Sequence, residues 1–190
     1  MVGFKKAEAG IGTLILFIAM ILVAAVAAGV LIQTSSSLQS KALSTGSKAK
    51  TQVSTSAQIA AIYAEDAGND NDVDYFFLEA KLAPGSDGIR FNDTLIEFLL
   101  NNESASLSYN GTIAACDGSA AANQGTSNYA VQYLIQGSVY QQDYLQTGDV
   151  VKICFDAVRD VAEDEDITIT LVPKTGSITQ VATSTPDLIT

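Results

Sequence analysis

Two kinds of hydrophobic patterning divide the chain. From Ala9 to Ile32 it reads AGIGTLILFIAMILVAAVAAGVLI, with Thr13 the one hydroxyl and no charge between Glu8 and Lys41. As a helix this run is roughly 36 Å long, enough to cross a hydrocarbon core of roughly 30 Å with some tilt. Beyond it Leu38, Ala42, Val53, Ala57, Ala60 and Ala61 recur at spacings compatible with one apolar helical stripe. Ser, Thr, Gln and Lys fill the other face, and the first proline is Pro84. The pattern predicts one helix from about Ala9 to about Glu65, roughly 85 Å long, with Gly46 and the Ser/Thr run around it as its weak points. Such a helix far exceeds globular lengths and needs a bilayer or other helices around it.

From Asp66 the pattern changes. DAGNDND is a turn-rich break that sets a boundary near residues 66–72. Short β-rich runs follow at Tyr75–Leu82, Ile89–Phe91, Ala105–Tyr109, Tyr129–Ile135, Val150–Phe155 and Ile167–Val172. ITITLV at 167–172 alternates as a half-buried strand does, whereas DTLIEFLL at 93–100 suits a strand or a short helix. The expected class is α+β: a long N-terminal hydrophobic helix over 8–65, then an antiparallel β-sandwich over 66–190.

Charge separates the same two parts. Up to residue 64 there are five lysines and one acid, Glu8, while almost all the acids behind the net charge of −11 lie beyond. The sequence pI of about 4.2 makes nucleic acid a poor partner, because phosphate contacts need Lys and Arg. The chain has no His, which excludes His-based acid–base catalysis, a Ser-His-Asp triad and His-ligated metal. Two Cys cannot build a Cys-only zinc site. No nucleophile motif stands out, so an enzyme is the weakest class.

The apolar segment admits three readings. A secretory signal has a shorter apolar core followed by a small-residue cleavage site. A plain membrane anchor fits the length, and Lys5 and Lys6 would hold the N-terminus in the cytoplasm, although Lys41, Lys48 and Lys50 oppose that bias. The third reading is a helix that leaves the membrane to pack against its own copies. Ala19, Ala24, Ala25, Ala27, Ala28 and glycines 10, 12 and 29 favour it, since small residues let helices approach closely.

The stretch Gly10–Ile32, GIGTLILFIAMILVAAVAAGVLI, closely resembles the N-terminal signature of the archaellins, the archaeal flagellins of the type IV pilin-like superfamily. LAPGSDGI at 82–89 and GDVVKICFD at 148–156 resemble family segments more loosely. Bacterial type IV pilins usually carry Glu five residues into the mature helix, where this chain has Gly12. The resemblance implies a filament subunit for swimming motility with an immunoglobulin-like outer domain. An adhesive pilin and a membrane-anchored extracellular binding module are the alternatives. It further implies a leader, MVGFKKA at 1–7, removed between Ala7 and Glu8 by a prepilin-type aspartyl peptidase, with Ala7 departing from the usual Gly. An assembly ATPase and a membrane platform would then draw the helix from the cytoplasmic membrane into an extracellular homo-polymer. Ile11, Leu14, Phe17, Ile18, Ile21, Leu22, Ala25, Val26 and Leu31 would pack its core.

Smaller signals lie in the outer domain. Asn92, Asn102 and Asn110 head three N-glycosylation sequons within a short stretch, which an oligosaccharyltransferase would use; turn chemistry alone also places Asn there. Cys116 and Cys154 permit a disulfide worth roughly 3–4 kcal/mol, or stand as a buried thiol and an exposed one. Asp70, Asp72 and Asp74 alternate as in a calcium loop but lack Gly at the sixth position and Glu at the twelfth. Some family members hold a structural cation in this domain. For these aspartates, as for Glu163–Asp166, a solvated acidic face is the favoured reading, and no cofactor is expected.

Overall fold

The computed structural model describes residues 3–68, 72–101 and 103–186, with side chains described from Gly10. A single helix, α1, runs Gly3–Ser54, unbroken through Gly46. It ends at Ser54 rather than near Glu65, because partners distant in sequence take over its last carbonyls. The Ser86 hydroxyl donates to the Ser54 and Ser56 carbonyls at 3.1 and 3.3 Å. The Thr55 carbonyl accepts the Ser177 N–H at 2.7 Å, and the Gln52 amide donates to the Gly176 carbonyl at 2.8 Å. Gly176, at φ +122°, comes so close that a Cβ there would lie 2.8 Å from the Thr55 oxygen.

Residues Ala57–Glu65, expected as the last helical turns, form strand β1 instead. Alanine-rich sequence permits either state, and pairing with β2, Val73–Leu82, decides it. DAGNDND therefore connects two strands, and the sheet domain begins before it. The chain divides into two compact units, the helix up to Lys48 and a body from Ala49 onward.

The body continues with β3 (Ile89–Arg90), β4 (Thr94–Leu100), β5 (Glu103–Thr112), a short helix α2 (Gly118–Ala122), β6 (Asn128–Ile135), β7 (Tyr144–Leu145), β8 (Val150–Val161), β9 (Asp166–Pro173) and β10 (Thr179–Ser184). Eight strands follow the order β1-β2-β8-β6-β5-β4-β9-β10, and β3 pairs with β7. DTLIEFLL is a strand with alternate residues buried. Among the described residues all ladders are antiparallel except β5 with β6, which is parallel. The connection through α2 carries the chain back before β6 begins, as a parallel pair requires. The first half of β5 pairs with β4 and its second half with β6, so β5 joins the two layers.

Alternation supplies the core. Phe76 and Leu78 of β2, Ile96 and Phe98 of β4, Ile153 and Phe155 of β8 and Ile167 and Ile169 of β9 are all buried together. The Phe98 ring lies 5.0 Å from Phe76 and 5.5 Å from Phe155. Tyr129 is buried among them and its hydroxyl donates to the Phe91 and Thr94 carbonyls, so its polar end is satisfied.

Candidate assembly surface

The apolar part of α1 is hydrophobic on every side. Consecutive residues turn by about 100°, so Ile15, Leu16, Phe17 and Ile18 alone cover nearly the whole circumference. Large apolar side chains from Ile11 to Ile32 are 49–71% exposed, among them Ile11, Leu14, Phe17, Ile18, Ile21, Leu22, Val26 and Leu31. Ala25 is exposed as well. A helix apolar all round is stable only inside lipid or inside a protein core. α1 is long and apolar enough to cross a membrane, and its most apolar window has no buried residue. The backbone at Ala7 and Glu8 is helical, so a peptidase acting there would have to unwind the first turns.

The remaining sequence candidates scatter. Asn92 is exposed in a 3-10 turn, Phe91–Asp93, while its sequon partner Thr94 is buried and donates to the Arg90 carbonyl. Asn110 is exposed and its amide donates to Gln124 Oε1 at 2.8 Å. Asn102 lies outside the described residues, as does Asp70. The Asp74 carboxylate accepts the N–H groups of Ala67 and Gly68, which closes the β1–β2 turn. Among the described residues no cluster of three or more acids, Cys or His has metal-binding geometry.

Cys116 and Cys154 are joined, with Cα atoms 5.8 Å apart. They sit in a second, smaller core with Phe77, Ala121 and Ala130, on the face of β2, β8 and β6 that points away from the main core. The bond therefore staples the α2 segment over an otherwise bare sheet face. Asp117 caps α2 by accepting the Ala120 N–H, which holds its carboxyl below the usual range. Lys152 lies 4.3 Å over the Phe77 ring and donates to the Cys116 carbonyl.

Sequence reasoning passed over the charge network at the far end of the sheet. Arg159 pairs with Glu103 and with the buried Glu165, which also accepts from Asn101. The Arg159 hydrogen bond holds the Glu165 carboxyl below its usual value. Asp156 titrates upward because it is partly buried and faces Asp74 and Asp160.

A long exposed apolar helix carrying a mostly antiparallel β-sheet domain defines a polymer-forming or membrane-held class of protein. The profile of the archaeal-type flagellin family matches residues 7–182, and the chain belongs to that family. Flagellin B2 of Halobacterium salinarum is 42% identical over 112 residues, 58% of this chain and 57% of that one. Flagellin B1 of Methanococcus voltae is 34% identical over 159 residues, 78% of this chain and 73% of that one. The chain spans about half to three fifths of the length of the first relatives it matches. The archaeal flagellum of Methanospirillum hungatei strain JF1 shares the fold, at TM-score 0.72 and 16% identity over 95% of both chains.

Proposed function

We propose that this chain is the structural subunit of an archaeal flagellar filament, polymerising through α1 for swimming motility. The observation that carries the reading is the uncharged helix surface Ile11–Ile32, exposed on all sides in a member of the archaeal-type flagellin family. Before assembly the helix is held in lipid. Cleavage between Ala7 and Glu8 by a prepilin-type peptidase removes Lys5 and Lys6, whose charges resist leaving the cytoplasmic side. An assembly ATPase and a membrane platform then drive extraction. In the filament the same side chains bury against neighbouring copies at about 25 cal/mol per Å² of apolar surface. The contacts are heterologous and do not close, which yields an open helix of subunits outside the cell. An oligosaccharyltransferase acting on Asn92, Asn102 and Asn110 would dress the outer domain. The chain itself does no chemistry in this scheme.

Filaments sheared from cells test the reading. They should contain this chain starting at Glu8 by mass, and deletion of its gene should abolish swimming. Material recovered only from membranes, as lone subunits with MVGFKKA attached, would favour a plain anchor instead.

A further inference from the structure

The outer domain is strongly acidic, yet it contains a 25-residue stretch without charge, from Gly118 to Gln142. Near its end stand four exposed apolar side chains: Leu134 and Ile135 where β6 runs out, and Val139 and Tyr140 on the following loop. Ile135 and Val139 are each 57% exposed. The knob lies at the end of the sheet where the chain enters, because Ile135 pairs with Val150, Val150 with Lys81, and the neighbouring Leu82 with Ala57. The opposite end carries Glu65, Asp74, Asp156, Asp160 and the run Glu163–Asp166.

The knob is held rigid. The buried Asp149 carboxylate accepts the N–H groups of Gly137 and Gln146 at 2.7 and 2.9 Å. The Tyr133 hydroxyl donates to the Gln141 and Tyr144 carbonyls, and its ring meets Tyr140 edge-on at 4.8 Å. Tyr109 donates to Asp143, whose carbonyl accepts the Phe91 N–H. The two arms of the loop approach so closely that a Cβ on Gly137 would meet the Thr147 carbonyl at 2.6 Å. Fixed apolar groups lose little entropy on docking.

We infer that this knob is a second subunit–subunit contact, docking the outer domain onto a neighbouring copy of the same chain. The inference rests on the filament reading above. Identical acidic domains repel wherever their carboxylates face one another, and the uncharged knob offers a place where two copies can touch without that repulsion. Its rigid apolar groups supply the buried anchors that such contacts use.

Ile135→Glu and Val139→Glu place a carboxylate on the knob at positions too exposed to disturb the fold. In cells each should lower sheared filament by about tenfold or more, with subunit levels in the membrane unchanged. Leu99→Glu, a comparably exposed site on the outer face of β4, should leave filaments intact. Filaments at the original level in the knob variants, or equal loss in Leu99→Glu, would overturn the inference. A photoreactive benzophenone amino acid at position 139 gives a readout that survives any folding defect. Crosslinked dimers from irradiated filaments are expected; filaments with no dimer, or crosslinks to lipid alone, overturn it. If filaments carrying Ala25→Asp in every subunit also form normally, polymerisation through α1 fails with it, whereas a failure confined to the knob leaves that reading standing.

Discussion

A single carboxylate in the apolar helix tests assembly most sharply, and Ala25→Asp is the change we would make. Ala25 stands on α1 with Ile21, Leu22, Ala28 and Gly29 one turn away. The nearest charges on its own helix are Glu8 and Lys41, seventeen and sixteen residues away and thus about 25 Å distant. No cation of its own chain along α1 can reach the new group. An aspartate buried there must give up its charge, and protonating a group of normal pKa near 4 at pH 7 costs about 4 kcal/mol. That lowers each subunit's association constant roughly a thousandfold. The same charge at a bilayer centre costs about 3 kcal/mol on insertion scales, so both states suffer and membrane levels must be measured beside filaments. The assay is filament mass sheared from cells, with swimming scored in parallel. Ala25→Asn, which brings polarity without charge, should leave a partial yield, and Ala25→Asp none. Full-length filaments carrying Ala25→Asp in every subunit would refute the claim that this surface is buried against other copies.

Four further outcomes follow from the outer domain. Replacing Cys116 and Cys154 by Ser should destabilise it by roughly 3–4 kcal/mol, read as a lowered midpoint in thermal unfolding, and an unchanged midpoint would mean that the α2 staple adds nothing. Asp156 is held above its usual pKa, so its ionised form opposes folding at neutral pH and that penalty disappears as pH falls through the raised value. Asp156→Asn should therefore raise Tm by about 2–3 °C at pH 7 and by less in acid, and calorimetry at both pH values checks the sign. The Glu165 carboxyl is shifted the other way, so its contribution is present above the ordinary Glu range and is lost on acidification through the lowered value. Glu165→Gln should flatten the acid limb of a stability–pH curve by about 1–2 kcal/mol, and an identical curve would show that Arg159 and Asn101 gain nothing from the ionised form. Intact mass of filament subunits should exceed the polypeptide mass, and Asn92→Gln, Asn102→Gln and Asn110→Gln should each remove one equal increment if all three sequons are used.

What the sequence alone determined is the part governed by local composition. An uncharged apolar run of this length has no stable home in water, so a helix over Ile11–Ile32 that seeks lipid or its own kind needs no tertiary information. Alternating or β-rich runs likewise marked β2, β5, β6, β8 and β9, because a half-buried strand writes its two faces into a period of two, whereas DTLIEFLL suited a strand or a short helix and only pairing with β5 and β9 made it β4. Tertiary structure decided where α1 stops: nothing between Ser54 and Glu65 breaks a helix, and the carbonyl partners Ser86 and Ser177 lie far along the chain. It decided that β1 is a strand, that β5 meets β6 in parallel, and that Cys116 reaches Cys154, since each depends on which segments become neighbours. It also decided that Ile135, apolar and in strand register like the core residues before it, points to solvent. A residue's pattern states what it could bury, and only the assembled sheet settles whether anything is there to cover it.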